Sequence, residues 1–420
     1  MTGAGGFLAG FIIAALRARG WRVLRGMRAP DAADEDVRHC DFEQLLTPRH
    51  WAPELVGVDA VVNVAGILRE TGGRRFDTIH HDAPLALALS CVEHGVRRFV
   101  QISALGSASD GAFVTSKHRF DETLLALPLQ AVVLRPSVVY SASGSYGGTS
   151  LLRALAATPG VLPVPGDGEW LIQPLAAEDL AQIVVRALES EVRGAFEVGG
   201  PQPIALRAYQ QRWRAWLRLP PAPVVHVPTA LVSLTVALSE RLGHGPMAAT
   251  TWRMLRRGNV AEPDAGERLH CSFGFVPRTL DDVLATRPSQ AQDRWQAQLY
   301  FVAPALRTGI ILLFLMSAWT GFATPAADIE HLASGSLLAA LHPVELARGS
   351  AAIDLVLGAA LLIGMRMRWT IGAMLGLVAA YTLTFGLLLP ALWLDPLGGL
   401  AKNLVVLPAL AALWVISERR

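Results

Sequence analysis

The stretch Thr2-Gly3-Ala4-Gly5-Gly6-Phe7-Leu8-Ala9-Gly10 decides the fold of the first part of the chain. Its small residues follow the spacing Gly-x-x-Gly-x-x-Gly/Ala and lead into an apolar run that continues to Leu16. Such a turn at the start of a helix places backbone N–H groups and the helix N-terminus against a dinucleotide pyrophosphate, and larger residues at Gly3 or Gly6 would hold the ligand away. We therefore predict that Gly3, Gly6, Phe7 and Leu8 bind NAD or NADP.

A turn of this kind normally follows a strand of five or six apolar residues at the centre of a parallel sheet. Only Met1 precedes Thr2 in this sequence. Two alternatives remain open at this point, a misassigned start codon or a damaged fold. We expect in-frame codons upstream of Met1 to encode a short apolar strand, with Met1 in place of one of its last residues.

The C-terminal end of the chain is unusually apolar. Of the 420 residues, 52% are hydrophobic and 17% are charged, against about a quarter charged in ordinary soluble proteins. The excess lies after residue 300, where long uncharged runs predict four transmembrane helices, near 303–323, 344–365, 369–393 and 398–417. The alternative, a soluble four-helix bundle, requires polar helix faces that these runs lack.

Positive charge predicts the orientation of these helices. Arg366 and Arg368 lie between the second and third runs, and Arg419 and Arg420 lie at the C-terminus. The loop 324–346 contains acidic residues but no Lys or Arg. Since positive charge is retained on the cytoplasmic side, we predict a multi-pass protein of a bacterial-type inner membrane, with its N-terminal domain and C-terminus in the cytoplasm.

Charge and cysteine usage exclude other classes of protein. The net charge is only +2 and no run is rich in Lys or Arg, which argues against a dedicated nucleic-acid-binding protein. Cys40, Cys91 and Cys271 are far apart, so they form neither a metal-binding motif nor a disulfide framework. We predict no nucleic-acid partner and no metal site.

The end of the predicted second strand bears on the choice of nucleotide. Residues 21–28 read Trp-Arg-Val-Leu-Arg-Gly-Met-Arg, and Arg28 stands where an acidic residue would select NAD. Because Arg at that point can bind a 2′-phosphate, NADP(H) is favoured over NAD(H). The alternative is that Arg28 is an ordinary solvated surface residue.

Residues 1–290 resemble the short-chain dehydrogenase/reductase superfamily, in its extended or atypical branch. Motifs in the family's order carry the resemblance: the glycine turn, Asp41-Phe42, Asn63-Val64-Ala65-Gly66, residues 97–103 ending in Ser103, Leu134-Arg135-Pro136-Ser137, Gln173-Pro174-Leu175 and residues 197–201. The resemblance implies an α/β Rossmann fold with a doubly wound parallel sheet, whose first strand is missing here. It also implies cofactor contacts at Asp41, Phe42, Ala65, Gly66, Lys117 and Pro136. The most similar branch includes the NAD(P)H-binding accessory subunit of respiratory complex I.

Catalysis in this superfamily uses Ser, Tyr and Lys, with Tyr exchanging the substrate proton. Ser103 and Lys117 match this pattern, but Phe113 occupies the usual Tyr position. A benzene ring cannot exchange a proton, so the proton-transfer step is in doubt while the cofactor contact of Lys117 is retained. Ser103 has an equally good structural interpretation, since a serine ending a strand can satisfy backbone groups. Four other polar residues could lie near the cleft: His80, His81, His118 and Tyr140.

The C-terminal part, about residues 300–420, resembles the DoxX-like membrane family, on the four apolar runs and the ending Leu394-Asp395-Pro396-Leu397-Gly398-Gly399. Some members of that family are linked to quinone or thiol redox systems. An intramembrane carboxylate is costly and usually faces a partner or a cavity, so Asp354 is the most suggestive residue there. We hypothesise a contact between Asp354 and Lys402, the alternative being that both lie at the membrane interface.

A basic stretch precedes the membrane domain, with Arg207, Arg212, Arg214 and Arg218 on one predicted helix. It fits either a solvated face of a substrate lobe or a helix lying on an anionic leaflet. The predicted domains are a nucleotide-binding domain 1–288, with lobe parts near 140–175 and 200–285, a linker 289–299 and an all-α membrane domain 300–420.

Two functions follow from this sequence. The first is a membrane-anchored oxidoreductase that uses NADP(H) on an unknown small molecule or quinone. The alternative is a non-catalytic NAD(P)H-binding sensor, or a structural subunit with a membrane protein partner.

Overall fold

The computed structural model describes residues 1–28, 34–241, 247–394 and 399–417. The chain divides into two compact units, Met1–Ala297 and Gln298–Arg420. Arg419, Arg420 and Asp395 to Gly398, which entered the sequence argument, lie outside the described residues.

The first unit contains the strands of the described chain. In chain order they are β1 Arg25–Met27, β2 Val37–His39, β3 Ala60–Asn63, β4 Arg98–Ile102, β5 Gln130–Pro136, β6 Val139–Tyr140, β7 Leu162–Pro165, β8 Leu171–Ile172, β9 Leu175–Ala176, β10 Gly194–Val198, β11 Ile204–Ala205 and β12 Val224–Val227. A parallel sheet has the order β10-β5-β4-β3, and β1 pairs with β2 in parallel.

Met1 and Thr2 lie between these two sets of strands. Thr2 donates its N–H to Val62 O at 3.0 Å, and Gly26 donates its N–H to Met1 O at 2.8 Å. With this pair as the first strand, the order becomes the doubly wound arrangement of a Rossmann fold. The predicted fold class is therefore confirmed, with the first strand represented by two residues. That in-frame codons upstream of Met1 encode a short apolar strand stays a prediction.

Helices cover both faces of the sheet. The helices of the first unit are α1 Phe7–Ala18, α2 Pro48–Trp51, α3 Ala83–Glu93, α4 Ala112–Ala126, α5 Gly148–Ala156, α6 Ala177–Glu189, α7 Leu206–Trp216, α8 Thr229–Arg241, α9 Ala249–Arg257, α10 Ala265–Phe273 and α11 Leu280–Thr286. Successive strand residues point to opposite faces, so Val132 and Leu134 pack against α1, α6 and α10, while Ala131 and Val133 pack against α2, α3 and α4.

Three arginines of the basic stretch lie on α7, but Arg218, predicted on the same helix, lies beyond its end at Trp216 and has a φ of +56°. Arg214 is buried and donates to Ala156 O and Thr158 O at 3.0 and 2.9 Å. Arg207 and Arg212 form ion pairs with Glu169 and Asp281. These intramolecular partners favour the substrate-lobe interpretation over a helix that lies on a leaflet.

The second unit is helical. Its helices are α12 Ala291–Ala323, which begins before the boundary between the units, α13 Ala326–Ala333, α14 Pro343–Ile363, α15 Met367–Leu388 and α16 Asn403–Ile416. The predicted linker 289–299 is thus mostly helical.

Among the described residues, α12, α14 and α15 are long and apolar enough to cross a membrane. Large apolar side chains such as Trp319, Trp369 and Leu387 are 75%, 81% and 77% exposed, as expected of a surface that faces lipid. The fourth predicted span corresponds to α16, whose 14 residues fall short of the about 20 that a spanning helix needs. This span stays a prediction.

Candidate functional site

The glycine turn is packed against a second backbone turn. Gly3 has a φ of +64°, and a Cβ atom there would lie 2.8 Å from Ala65 N and 2.9 Å from Ala65 Cα. Gly6 donates its N–H to Gly3 O at 2.9 Å. The sequence predicts glycine at position 3 because a larger residue would hold the nucleotide away. The structure adds a second reason, since only glycine permits this approach to Ala65.

Helix α1 presents free backbone donors at this turn. It begins at Phe7, no side chain caps it, and its first turn contains no acidic residue. The N–H groups of the first turn of a helix have no intrahelical acceptor, and the dipole favours an anion there. Leu8 packs on the core, and the ring of Phe7 stacks on Tyr146 with centroids 6.2 Å apart. The backbone N–H groups and the dipole at the start of α1 therefore fit a pyrophosphate.

Two predicted residues for the adenosine end follow adjacent strands. Arg28 comes directly after β1 and is exposed, and Asp41 comes shortly after β2. Asp41 accepts hydrogen bonds from Glu43 N and Gln44 Nε2, each at 3.1 Å. Phe42 is buried against Trp51. Because parallel strands end at one edge of the sheet, Arg28 and Asp41 lie on the same edge.

Lys117 lies beside the turn Ala65-Gly66. Helix α4 carries it, it is 6% exposed, and Nζ donates to Ile102 O at 3.0 Å. A Cβ atom at Gly66 would lie 3.3 Å from Nζ. Burial lowers the pKa of Lys117 to about 8, although Asp121 acts in the opposite direction. An ammonium has three donors, so Lys117 retains capacity for a ligand after its bond to Ile102.

Phe113 occupies an apolar position one helical turn before Lys117. It is 7% exposed, and its ring packs edge-on against Phe76 and His80, with centroids 6.1 and 5.4 Å away. Lys117 Nζ lies 5.8 Å from the centre of the Phe113 ring. Phe113, at the predicted Tyr position, thus has no exchangeable proton.

His80 does not replace the missing hydroxyl group. Its Nε2 accepts from Ile67 N–H at 3.0 Å, which assigns the proton to Nδ1; Nδ1 then donates to Ser116 Oγ at 2.9 Å. Ser116 in turn donates to Phe113 O at 3.1 Å. Burial above all, and then Lys117, lowers the pKa of His80 to about 2. His80 is a neutral histidine with both nitrogens engaged.

The other three candidate polar residues, His81, His118 and Tyr140, are also held by contacts within the protein. His81 is bonded to Asp82 Oδ1 at 2.8 Å, and His118 donates from Nε2 to Ala104 O at 2.9 Å. Tyr140 is buried in the lobe beside Tyr209 and Trp213, and burial raises its pKa.

Ser103 belongs to a buried polar network. Its Oγ donates to Asp121 Oδ2 at 2.7 Å, and Arg135 Nε donates to the same oxygen at 3.0 Å. The Asp121 side chain is fully buried; burial raises its pKa, and the bonds from Ser103 and Arg135 oppose that rise. The partner of the Ser103 hydroxyl group is thus a side chain, Asp121, and not the backbone groups of the structural interpretation; the catalytic role of Ser103 stays a prediction.

Asp121 was not identified from the sequence. Its signal was a carboxylate four residues after Lys117 on the same helix face.

The predicted cofactor residue Pro136 ends β5 and is buried, and its carbonyl accepts from Leu105 N–H at 3.1 Å.

In the second unit the hypothesised contact between Asp354 and Lys402 is wrong. Asp354 is buried and accepts from Ser317 Oγ at 2.6 Å. Lys402 is exposed just before α16, and the described residues contain no ion pair between the two. The hydroxyl of a neighbouring helix, not a cation, satisfies one oxygen of Asp354.

Comparisons with known proteins agree with this architecture. Residues 1–199 match the NAD dependent epimerase/dehydratase family, and residues 311–414 match the DoxX-like family. The chain therefore joins an N-terminal domain of an NAD(P)-binding family to a C-terminal DoxX-like domain, and the latter, with its three long apolar helices, indicates a membrane protein.

Two curated proteins are similar over about half of the chain. The chain is 27% identical over 214 residues to "NADH dehydrogenase [ubiquinone] 1 alpha subcomplex subunit 9, mitochondrial" of Arabidopsis thaliana, covering 47% of this chain and 52% of that protein. It is 28% identical over 204 residues to "Ceramide reductase" of Caulobacter vibrioides (strain NA1000 / CB15N), covering 47% and 63%. The chain thus spans about half to under two thirds of the length of these relatives.

Solved structures show the same fold. The crystal structure of gox2253 matches with a TM-score of 0.51 at 20% identity and covers 67% of this chain and 94% of its own. The human epimerase family protein SDR39U1 (isoform 2), solved with NADPH, matches with a TM-score of 0.50 at 19% identity, covering 68% and 96%.

Proposed function

We propose that this protein is a membrane-attached NAD(P)(H)-binding protein that holds its nucleotide without tyrosine-dependent proton transfer. The observation that carries the proposal is the pairing of a retained Lys117 with a buried Phe113. Lys117 keeps free donors beside the Ala65-Gly66 turn, while Phe113 and the fully bonded His80 supply no exchangeable proton.

The described residues fit a dinucleotide along the sheet edge. The first turn of α1, with Phe7 and Leu8, would bind the pyrophosphate, and Lys117 would bind the nicotinamide ribose. Asp41 would lie near the adenine. When bound, the nicotinamide would supply or accept a hydride. We propose that the exposed Arg28 pairs with a 2′-phosphate, so that NADP(H) is preferred over NAD(H).

The place of action in this proposal is a bacterial-type inner membrane, with the N-terminal unit in the cytoplasm. The three long apolar helices support attachment to the bilayer. The relative named as a subunit of NADH dehydrogenase supports a structural or sensing role with a membrane protein partner.

Nucleotide binding and turnover test the proposal. The full chain in detergent micelles is titrated with NADPH and NADH while the fluorescence of the bound nicotinamide is followed. We expect saturable binding, weakened about tenfold or more in Lys117→Met because a charge-assisted hydrogen bond is lost. We also expect no oxidation of NADPH by short aldehydes, ketones or a soluble quinone. Absence of saturable binding by either nucleotide would contradict the proposal.

A second candidate function is oxidoreductase activity with Lys117 as the proton source. The observation that favours it is the lowered pKa of this buried ammonium, about 8, which lies near the range in which general acids are effective. Lys117 Nζ would donate a proton to the substrate oxygen as the substrate carbon receives the hydride. The relative named ceramide reductase supports a carbonyl substrate for this candidate.

The same assay separates the two functions. NADPH oxidation that requires a carbonyl or quinone, persists in Phe113→Leu and disappears in Lys117→Met would establish the second candidate. Turnover retained in Lys117→Met would refute Lys117 as the proton source.

A further inference from the structure

The DoxX-like unit contains a cavity of about 890 Å³. Residues of α12, α13, α14 and α15 line it, and most of its wall is apolar, including Leu338, Leu377 and Phe385. This volume lies within the range of about 300–1,000 Å³ that is typical of small-molecule sites.

One polar side chain on the wall of this cavity has unused hydrogen-bonding capacity. Asp354 is 5% exposed, and Ser317 Oγ occupies one of its oxygens, Oδ2. Within the described residues, Oδ1 accepts no hydrogen bond. The hydroxyl group of Tyr381, another residue of the cavity wall, is sealed from solvent beside Ser350 and is not offered to a ligand. Since an unpaired polar group is costly in a membrane, Asp354 Oδ1 indicates a ligand that donates a hydrogen bond.

We propose that this cavity binds a neutral lipid with an alcohol head group. A carboxylate oxygen accepts hydrogen bonds, so a ligand hydroxyl group can donate to Asp354 Oδ1. The apolar wall takes the hydrocarbon chain. This inference goes beyond the proposed nucleotide site and does not depend on it.

The test uses the full chain in phosphatidylcholine nanodiscs and two photoreactive probes, a diazirine-bearing C16 alcohol and its methyl ether. The ether keeps the chain but cannot donate a hydrogen bond. We expect saturable labelling by the alcohol in α12, α14 or α15, and about tenfold weaker labelling by the ether. Equal labelling by both probes, or labelling that does not saturate, would overturn the proposal. So would a C16 amine that competes about tenfold better than the alcohol.

Variants locate the head group. Asp354→Leu should weaken labelling by the alcohol about tenfold. Asp328→Leu is the matched control, because Asp328 is an exposed carboxylate of α13 and does not line the cavity; its labelling should equal that of the wild type.

Ala380→Phe gives independent evidence if Asp354→Leu fails to fold. Ala380 lines the cavity, so a phenyl ring there should block the site without changing Asp354. Unchanged labelling in a folded Ala380→Phe protein would refute the assignment, as would unchanged labelling in a folded Asp354→Leu protein.

Discussion

A Cβ atom at position 3 would collide with the backbone of Ala65, and an alanine there would have to adopt a left-handed φ. We predict that Gly3→Ala lowers the free energy of unfolding by about 1–3 kcal/mol and abolishes NADPH binding. Thermal unfolding of the full chain, followed by tryptophan fluorescence, measures the first effect.

Gly10→Ala is the control for this prediction. Gly10 lies inside α1 with open space around its Cα atom, so alanine should preserve stability or raise it by up to about 1 kcal/mol. If Gly3→Ala unfolds at the same temperature as Gly10→Ala, the close approach to Ala65 is not a constraint.

The charge of Lys117 predicts how nucleotide binding depends on pH. Its pKa of about 8 means that the ammonium form predominates below pH 8 and disappears above it. We expect affinity for NADPH to fall as pH rises from 7 to 9.5, and Lys117→Met to bind weakly at every pH. Identical pH profiles for the two proteins would exclude Lys117 from binding.

The contribution of Lys117 to stability changes with pH in the opposite direction to its contribution to NADPH binding. Because the folded pKa lies below the ordinary value of 10.5, the unfolded chain binds the extra proton between pH 8 and 10.5. The contribution of Lys117 to stability therefore rises with pH through that window.

At the scale of elements, the N-terminal end of α6 is anchored by an ion pair. Arg278, which precedes α11, donates from Nε and Nη2 to Asp179 Oδ1 at 2.9 and 2.6 Å and from its N–H to Oδ2 at 2.8 Å. The Asp179 side chain is 2% exposed. Since removal of one partner strands a buried charge, Arg278→Ala should lower the free energy of unfolding by about 2 kcal/mol.

Arg268 offers a matched arginine for this measurement. Its partners Glu262 and Asp264 are exposed, so Arg268→Ala should change stability by at most about 1 kcal/mol. Denaturant unfolding of both variants compares the two, and equal losses would contradict the anchoring role of Asp179.

Elements with strong local patterns could be predicted from the sequence. The apolar runs around Val61 and Val132 are strands that are buried on both faces, and the turn at Gly3 does precede a helix. The network at Ser103 could not be predicted, because it joins Asp121 on α4 to Arg135 on β5 through tertiary packing. The role of His80 depends in the same way on Ile67 N–H, a contact that no spacing rule contains.

At the scale of the whole molecule, the distribution of positive charge predicts that α16 crosses the bilayer. We predict that green fluorescent protein fused after Arg366 or at the C-terminus fluoresces, and that alkaline phosphatase fused after Gly335 is active, because positive charge stays in the cytoplasm. A C-terminal fusion with active phosphatase and no fluorescence would mean that α16 does not cross.

Met1 and Thr2 form a two-residue seam, the junction between the β1–β2 pair and the larger sheet. This seam has a consequence for motion. In the described chain, backbone hydrogen bonds join β1 and β2 to the larger sheet through these residues, whereas β3, β4, β5 and β10 share continuous ladders. Regions with fewer buried hydrogen bonds open at lower free energy, so amide hydrogens of β1 and β2 should exchange with solvent as a separate, faster unit. A nucleotide held across the seam would then begin to dissociate at its adenosine end.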